Sequence, residues 1–209
     1  MAITLRGCVP LEFRQGQDVD GARGRCGRCH LRKMPDGDEE MTGHTDSEIL
    51  AANKTYRRSF GPYPAVVPRI LREMWSPSIG TVLDFGAGTH ARYALELRDA
   101  GYNVTAYDFG RNVGPDIESD ALDREYDLVY AANVLNVQSS KDMLLRTLGE
   151  IRGAMKRIAI VNYPQEPRKA GISSHDMAQI LRESFSRVEF IAPSGRGAKS
   201  QLVALLWVD

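Results

Sequence analysis

The sequence is poor in the features that would mark an exported, membrane-bound or polyanion-binding protein. Its three cysteines, Cys8, Cys26 and Cys29, are an odd set and make no disulfide framework. No apolar run approaches a membrane span, and Met1-Ala2-Ile3-Thr4-Leu5-Arg6 lacks the basic-then-apolar layout of an export signal. A reducing cytoplasm is the compartment these absences favour. With 27 basic and 27 acidic residues the formal net charge is zero, so no global field draws in nucleic acid or an anionic membrane. Internal repeats are absent. What is present is an ordinary globular composition, 43% hydrophobic over 209 residues, enough to bury one α/β core with a short extension.

The chain changes character near residue 50. Residues 1–48 are rich in Gly, Arg and Asp without sustained apolar periodicity, and read as an arm, flexible or zinc-stabilised. Residues 49–79 carry Ile49, Leu50, Val66, Val67, Ile70, Leu71 and Met74 at helical spacing, interrupted by Gly61-Pro62-Tyr63-Pro64, and read as a helical lead-in. From residue 80 onward strands and helices alternate. Strands are expected at 81–85, 102–108, 126–131, 157–162, 187–192 and 201–208, and helices at 90–100, 141–155 and 174–185. Such alternation argues a mostly parallel sheet with helices on both faces.

Three features of residues 80–209 belong together. The first strand ends in an acid and opens onto Gly86-Ala87-Gly88, where glycine permits a tight turn and close approach of a ligand to the backbone. The second strand ends in Asp108, placed to accept both hydroxyls of a ribose. Asp120-Ala121 then precedes the third strand. The spacing Gly86, Gly88, Ala91 formally satisfies a dinucleotide fingerprint, which keeps an NAD-type oxidoreductase in view. Asp84, however, is an acid inside the turn. It would repel a pyrophosphate and suits a ligand with a cationic ammonium and sulfonium, which favours S-adenosylmethionine (SAM).

The run Val82-Leu83-Asp84-Phe85-Gly86-Ala87-Gly88 resembles the first motif of class I SAM-dependent methyltransferases. The resemblance covers residues 80–209 and implies a Rossmann-like, mostly parallel seven-stranded sheet with helices on both faces and an antiparallel last strand. It also implies a cofactor site. Asp84, Gly86 and Gly88 would surround the methionine part, Asp108 would hold the ribose, and the acid of Asp120-Ala121 would face the adenine amine, with Phe85, Ala87 and Phe109 counted among the cofactor-binding residues. The spacing from Asp108 to Asp120 is shorter than the family's usual one. Ala132-Asn133-Val134-Leu135-Asn136-Val137 resembles the segment that lines the cofactor and substrate side, so Asn133 counts with the cofactor residues.

Methyl transfer from a sulfonium needs placement of the nucleophile more than acid–base machinery. Asn133, Asn136, Tyr163 and His90 fall at strand ends or turns on the expected ligand side. Asn133 is the leading candidate for a catalytic role, and His90 reads as a helix-start residue. The acceptor is not named by any motif. The Asn/Asp-Pro-Pro-aromatic segment of amino-methylating DNA enzymes is not matched by Asn133-Val134-Leu135-Asn136, and no cysteine lies inside the domain to serve cytosine methylation. Sequence-specific DNA recognition is therefore disfavoured, and a small-molecule acceptor is favoured. The alternatives are a non-catalytic SAM-binding module acting through a partner and a nucleic-acid methyltransferase using a basic arm.

Two segments invite further readings. Tyr56-Arg57-Arg58-Ser59-Phe60, leading into Gly61-Pro62-Tyr63-Pro64, sets two arginines among aromatics and reads as a lid over the cofactor site. Cys26-Gly27-Arg28-Cys29-His30 supplies two thiolates at zinc-ligand spacing, with Cys8, His30 or His44 to complete a tetrahedron. A second close pair is missing, so reduced cysteines in a mobile arm are favoured over zinc. Arg6, Arg14, Arg23, Arg25, Arg28, Arg32 and Lys33 make the arm locally basic before Asp36, Asp38, Glu39 and Glu40 follow.

Overall fold

The strand β1 (Thr81–Phe85) is buried at four of its five positions, as a strand covered by helices on both faces must be. Around it the computed structural model describes residues 44–55, 65–109, 112–165, 171–192 and 200–209, all within one compact unit, Met41–Asp209. The elements run α1 (Asp46–Thr55), α2 (Val66–Met74), β1, α3 (Arg92–Asp99), β2 (Asn103–Tyr107), β3 (Tyr126–Ala131), α4 (Lys141–Gly153), β4 (Met155–Pro164), α5 (Ser174–Ser184), β5 (Arg187–Ile191) and β6 (Gln201–Trp207). Short 3-10 turns occupy Pro77–Ile79, Ala121–Asp123 and Leu135–Val137.

The sheet order is β2-β1-β3-β4-β6-β5. Strands β2, β1, β3 and β4 are parallel, and β6 runs antiparallel to both β4 and β5. The expected mixed architecture and reversed last strand are therefore present, with six strands among the described residues where the resemblance implied seven. The reason is chain length. Between β2 and β3 only residues 108–125 are available, too few for an extra strand and a crossover helix. What remains at that edge is a single parallel bridge, Ala106 to Ile117.

Side-chain alternation sorts the core into two layers. Leu83, Phe85, Val129, Ala131, Ala159 and Val161 face α1, α4 and α5. Val82, Val104, Ala106, Leu128, Tyr130 and Ile160 face α2 and α3. Helix α2 turns Val67, Pro68, Ile70 and Leu71 inward, and its proline sits in the first turn, where no intrahelical N–H is lost. Helices α4 and α5 begin at Ser140 and Ser173, whose side chains accept from the backbone N–H of Met143 and Asp176. No helix among the described residues is long and apolar enough to cross a membrane. The arm with Cys8, Cys26, Cys29 and His30, and the Tyr56–Pro64 segment, lie outside the described residues.

Candidate cofactor and acceptor site

The turn after β1 folds over the end of β2. Gly86 and Ala87 both donate their backbone N–H to the Tyr107 carbonyl, at 2.8 and 2.9 Å, and Gly88 donates to Asp108 Oδ2 at 2.6 Å. Parallel pairing in register, with Phe85 opposite Tyr107, sets these groups side by side. Gly86 has φ +80°, and a Cβ there would lie 2.4 Å from Val134 Cγ2. Glycine is required on both counts. The same approach brings the segment after β3 against the turn.

Asp84 does not face the turn's open side. It is 2% exposed, shares the inward layer with Tyr130, its register partner on β3, and lies beneath α3. Burial pushes its carboxyl from the usual 3.8 up to about 7, opposed by the Tyr130 hydroxyl beside it and by the Ala94 N–H. The hydroxyl does not reach hydrogen-bond geometry. Asp84 Oδ2 and the Tyr130 hydroxyl have no hydrogen-bond partner among the described residues. Helix α3 has no side-chain cap of its own, because its N-cap is Ala91 in a left-handed conformation, φ 42°. Ala94 stands third in that helix, and its N–H lies on the side of the Asp84 carboxyl.

Asp108, at the end of β2, is held from three sides. Oδ2 accepts from Gly88, while Oδ1 accepts from the Phe109 N–H at 2.9 Å and from Asn112 Nδ2 at 2.8 Å. Desolvation raises its pKa against these three bonds. A carboxylate has about four lone-pair sites, so among the described residues one is left without a donor. Asn112 Nδ2 also reaches Asn53 Oδ1 on α1 at 3.0 Å. Helix α1 is further tied down by Arg146 on Glu48. Just before it, His44 bonds Glu150 at 3.1 Å and stacks on Phe109 with 5.0 Å between ring centroids.

Asn133 lies two residues past β3 at φ 60°, a left-handed position that asparagine tolerates better than most residues. Its backbone N–H donates to Asn162 Oδ1 at 2.7 Å, and Asn162 Nδ2 returns a bond to Asn133 Oδ1 at 2.8 Å. Asn162 Nδ2 also donates to Gln201 Oε1 at 3.0 Å. Three amides thus join the ends of β3 and β4 to the start of β6.

A family model described as a methyltransferase domain matches residues 56–195. The chain belongs to that family. The resemblance to class I SAM-dependent methyltransferases is thereby borne out. Among solved structures, a TehB-like SAM-dependent methyltransferase from Corynebacterium glutamicum is 18% identical, with a TM-score of 0.52, covering 71% of this chain and 90% of that one. The glycopeptide N-methyltransferase MtfA complexed with S-adenosylhomocysteine (SAH) is 12% identical, with a TM-score of 0.55, covering 79% and 98%. A Burkholderia thailandensis 1,6-didemethyltoxoflavin-N1-methyltransferase, with its acceptor and SAH bound, is 17% identical, with a TM-score of 0.50, covering 68% and 76%. At these identities the likeness is one of fold. No curated protein matches the chain.

Within this methyltransferase fold the remaining sequence candidates fall into two groups. Gly86, Ala87, Gly88, Asp108, Phe109 and Asn133 gather at the carboxyl ends of β1, β2 and β3, where open α/β sheets bind ligands. Phe85 lies fully buried against Tyr107. Asp120 is exposed at the start of a 3-10 turn, and Ala121 is buried in the layer that holds Phe109. His90 is exposed just ahead of α3. Tyr163 is a core residue whose hydroxyl donates to the Ile172 carbonyl at 2.8 Å. Asn136 keeps a buried Oδ1 without a hydrogen-bond partner among the described residues. His44 is already engaged by Glu150, and no cluster of three metal-ligating side chains occurs among the described residues.

Sequence reasoning did not find Asn53, Asn112 or Gln201. Their roles depend on contacts between distant elements. The one available signal was Asn162, a polar residue in the buried run Ala159–Tyr163 of β4.

Proposed function

We propose that this chain binds SAM at the Gly86–Gly88 turn and transfers its methyl group to a small-molecule acceptor. The observation that carries the cofactor reading is the commitment of the turn's donors. The N–H groups of Gly86, Ala87 and Gly88 are spent on Tyr107 and Asp108, and the Ala94 N–H of α3 faces the Asp84 carboxyl. A pyrophosphate site needs such donors aimed at the ligand. A dinucleotide is disfavoured on that ground. An adenosyl ligand with a cationic methionine part asks instead for an acid at the ribose and a close backbone, which Asp108 and the glycines supply.

The residues fit that cofactor. Among the described residues Asp108 retains one acceptor site for a ribose hydroxyl, and Asn112 is its one side-chain donor, which a second hydroxyl could replace. Phe109, stacked under His44, offers an apolar wall beside it. Asp84 lies buried beneath the site, under α3. Bound SAM would supply a methyl on a good leaving group. The protein's contribution is then to hold a nucleophile in line, which in favourable cases is worth roughly 7–11 kcal/mol. Asn133, fixed by Asn162 next to the turn, is suited to orienting that nucleophile. It has no acid–base capacity of its own.

A small-molecule acceptor is supported by the balanced charge of the chain and by the absence of the segments that DNA enzymes of this family use. The structural relative with toxoflavin precursor bound acts on a small molecule. The test is methyl-label transfer from labelled SAM into separate pools of metabolites, RNA, DNA and protein. Label in the metabolite pool supports the reading. Label confined to nucleic acid or protein contradicts the acceptor class, and no transfer despite SAM binding favours a binding module.

A further inference from the structure

We infer that Asn133 and Gln201 form a donor pair that holds the methyl acceptor by a hydrogen-bond-accepting oxygen: a carboxylate, carbonyl or phenolate. The inference deepens the proposed function and rests on it for the words "methyl acceptor". Its physical basis is the polarity of the three-amide chain. A side-chain amide can be turned either way to suit its neighbours, but a backbone N–H can only donate. The Asn133 N–H therefore obliges Asn162 to present Oδ1 to it, at 2.7 Å. Asn162 Nδ2 must then point the other way. It donates to Asn133 Oδ1 and to Gln201 Oε1, at 2.8 and 3.0 Å, which uses both of its N–H bonds.

That anchor dictates the rest. Asn133 and Gln201 each turn their oxygen toward Asn162, so each leaves an NH2 group facing away, unpartnered among the described residues. Asn162 cannot rotate to reverse the chain. It is 2% exposed, and a flip would set its own NH2 against the Asn133 N–H in a buried place, costing about 1–3 kcal/mol.

The location suits an acceptor subsite. Asn133 follows β3 at the carboxyl edge, and the next residue, Val134, abuts Gly86 of the turn. Gln201 opens β6 opposite Pro164 at the end of β4. The NH2 groups on either side of the buried Asn162 amide are donors, and an oxygen-bearing group supplies the lone pairs they need. An amine presents N–H bonds and would meet donors facing donors. The pair therefore selects acceptors that carry an oxygen handle, whichever atom receives the methyl.

The experiment is side-chain amide NMR on SAH-loaded protein, with calorimetry of SAH on the same samples. The Asn162 NH2 is expected to exchange slowly with solvent, and those of Asn133 and Gln201 quickly. Benzoate, phenol and benzamide are expected to shift the Asn133 and Gln201 NH2 signals, and benzylamine to leave them in place. Asn133→Asp keeps the bond from Asn162 while replacing the outward donor by an acceptor, and should weaken benzoate binding about tenfold or more. Gln201→Glu does the same from the other side, and thermal melts establish that each variant folds. Rapid exchange at Asn162 would overturn the polarity. Shifts from benzylamine alone, or from none of the probes, would overturn the subsite. Failure of SAH to bind would instead remove the cofactor reading, leaving the exchange measurement valid by itself.

Discussion

At the residue scale the most informative position is Asp84. Its sequence position inside a glycine turn suggested an acid facing a cationic ligand, whereas it lies 2% exposed beneath α3. Alternation along β1 is the physical reason: with Phe85 turned toward α1, Asp84 must turn toward α2 and α3. Its carboxyl keeps its proton up to about pH 7 in the folded protein, against 3.8 ordinarily. Between those values the native state binds more protons than the unfolded chain, so stability falls as pH rises through that window. Asp84→Asn removes the ionisation. Thermal melts from pH 4.5 to 8 should show a declining midpoint for the natural protein and a flatter profile for the variant. Parallel profiles would show that Asp84 is ionised throughout. Gly86→Ala is the second test at this scale. With φ +80° and Val134 Cγ2 2.4 Å from the new Cβ, it should lower stability by about 1–3 kcal/mol in denaturant unfolding and weaken SAH binding with it.

At the element scale the question is what holds α1 over the sheet. Among its polar attachments are Glu48 to Arg146, Asn53 to Asn112, and the preceding His44 to Glu150. Asn112 is the sensitive one because it also bonds Asp108. Asn112→Ala should raise amide hydrogen exchange across residues 46–55 and cost about 1 kcal/mol of stability, leaving α5 exchange unchanged. Helix α5 offers the converse control. Ser173→Ala breaks a complete capping box and should destabilise by about 1 kcal/mol, with faster exchange confined to the first turn of α5. Both outcomes are read by hydrogen-exchange mass spectrometry. These elements also show what was legible beforehand. The strands at Thr81–Phe85 and Tyr126–Ala131 and the helix beginning at Lys141 were readable because their apolar runs and periods are local. The Asn133–Asn162–Gln201 chain was not, since its members meet only once β6 pairs with β4. The missing seventh strand was foreshadowed by the short Asp108–Asp120 spacing.

At the scale of the whole molecule, one sheet edge gathers the pieces the sequence scattered. The turn, Asp108 and the amide chain come from residues 86 to 201, and the parallel register of β1, β2 and β3 aligns the first two at one carboxyl end. The glycine turn was legible because its spacing is local. The chemistry of its donors was not, because the Tyr107 carbonyl and the Asp108 carboxylate that occupy them arrive from the next strand. If the site is as proposed, this edge binds SAM and not a dinucleotide. Isothermal titration calorimetry with SAM, SAH and NAD decides it. Saturable binding of SAM and SAH, weakened about tenfold or more by Asp108→Ala, with no heat from NAD, is the predicted result. Binding of NAD in the absence of any binding of SAM or SAH would contradict it.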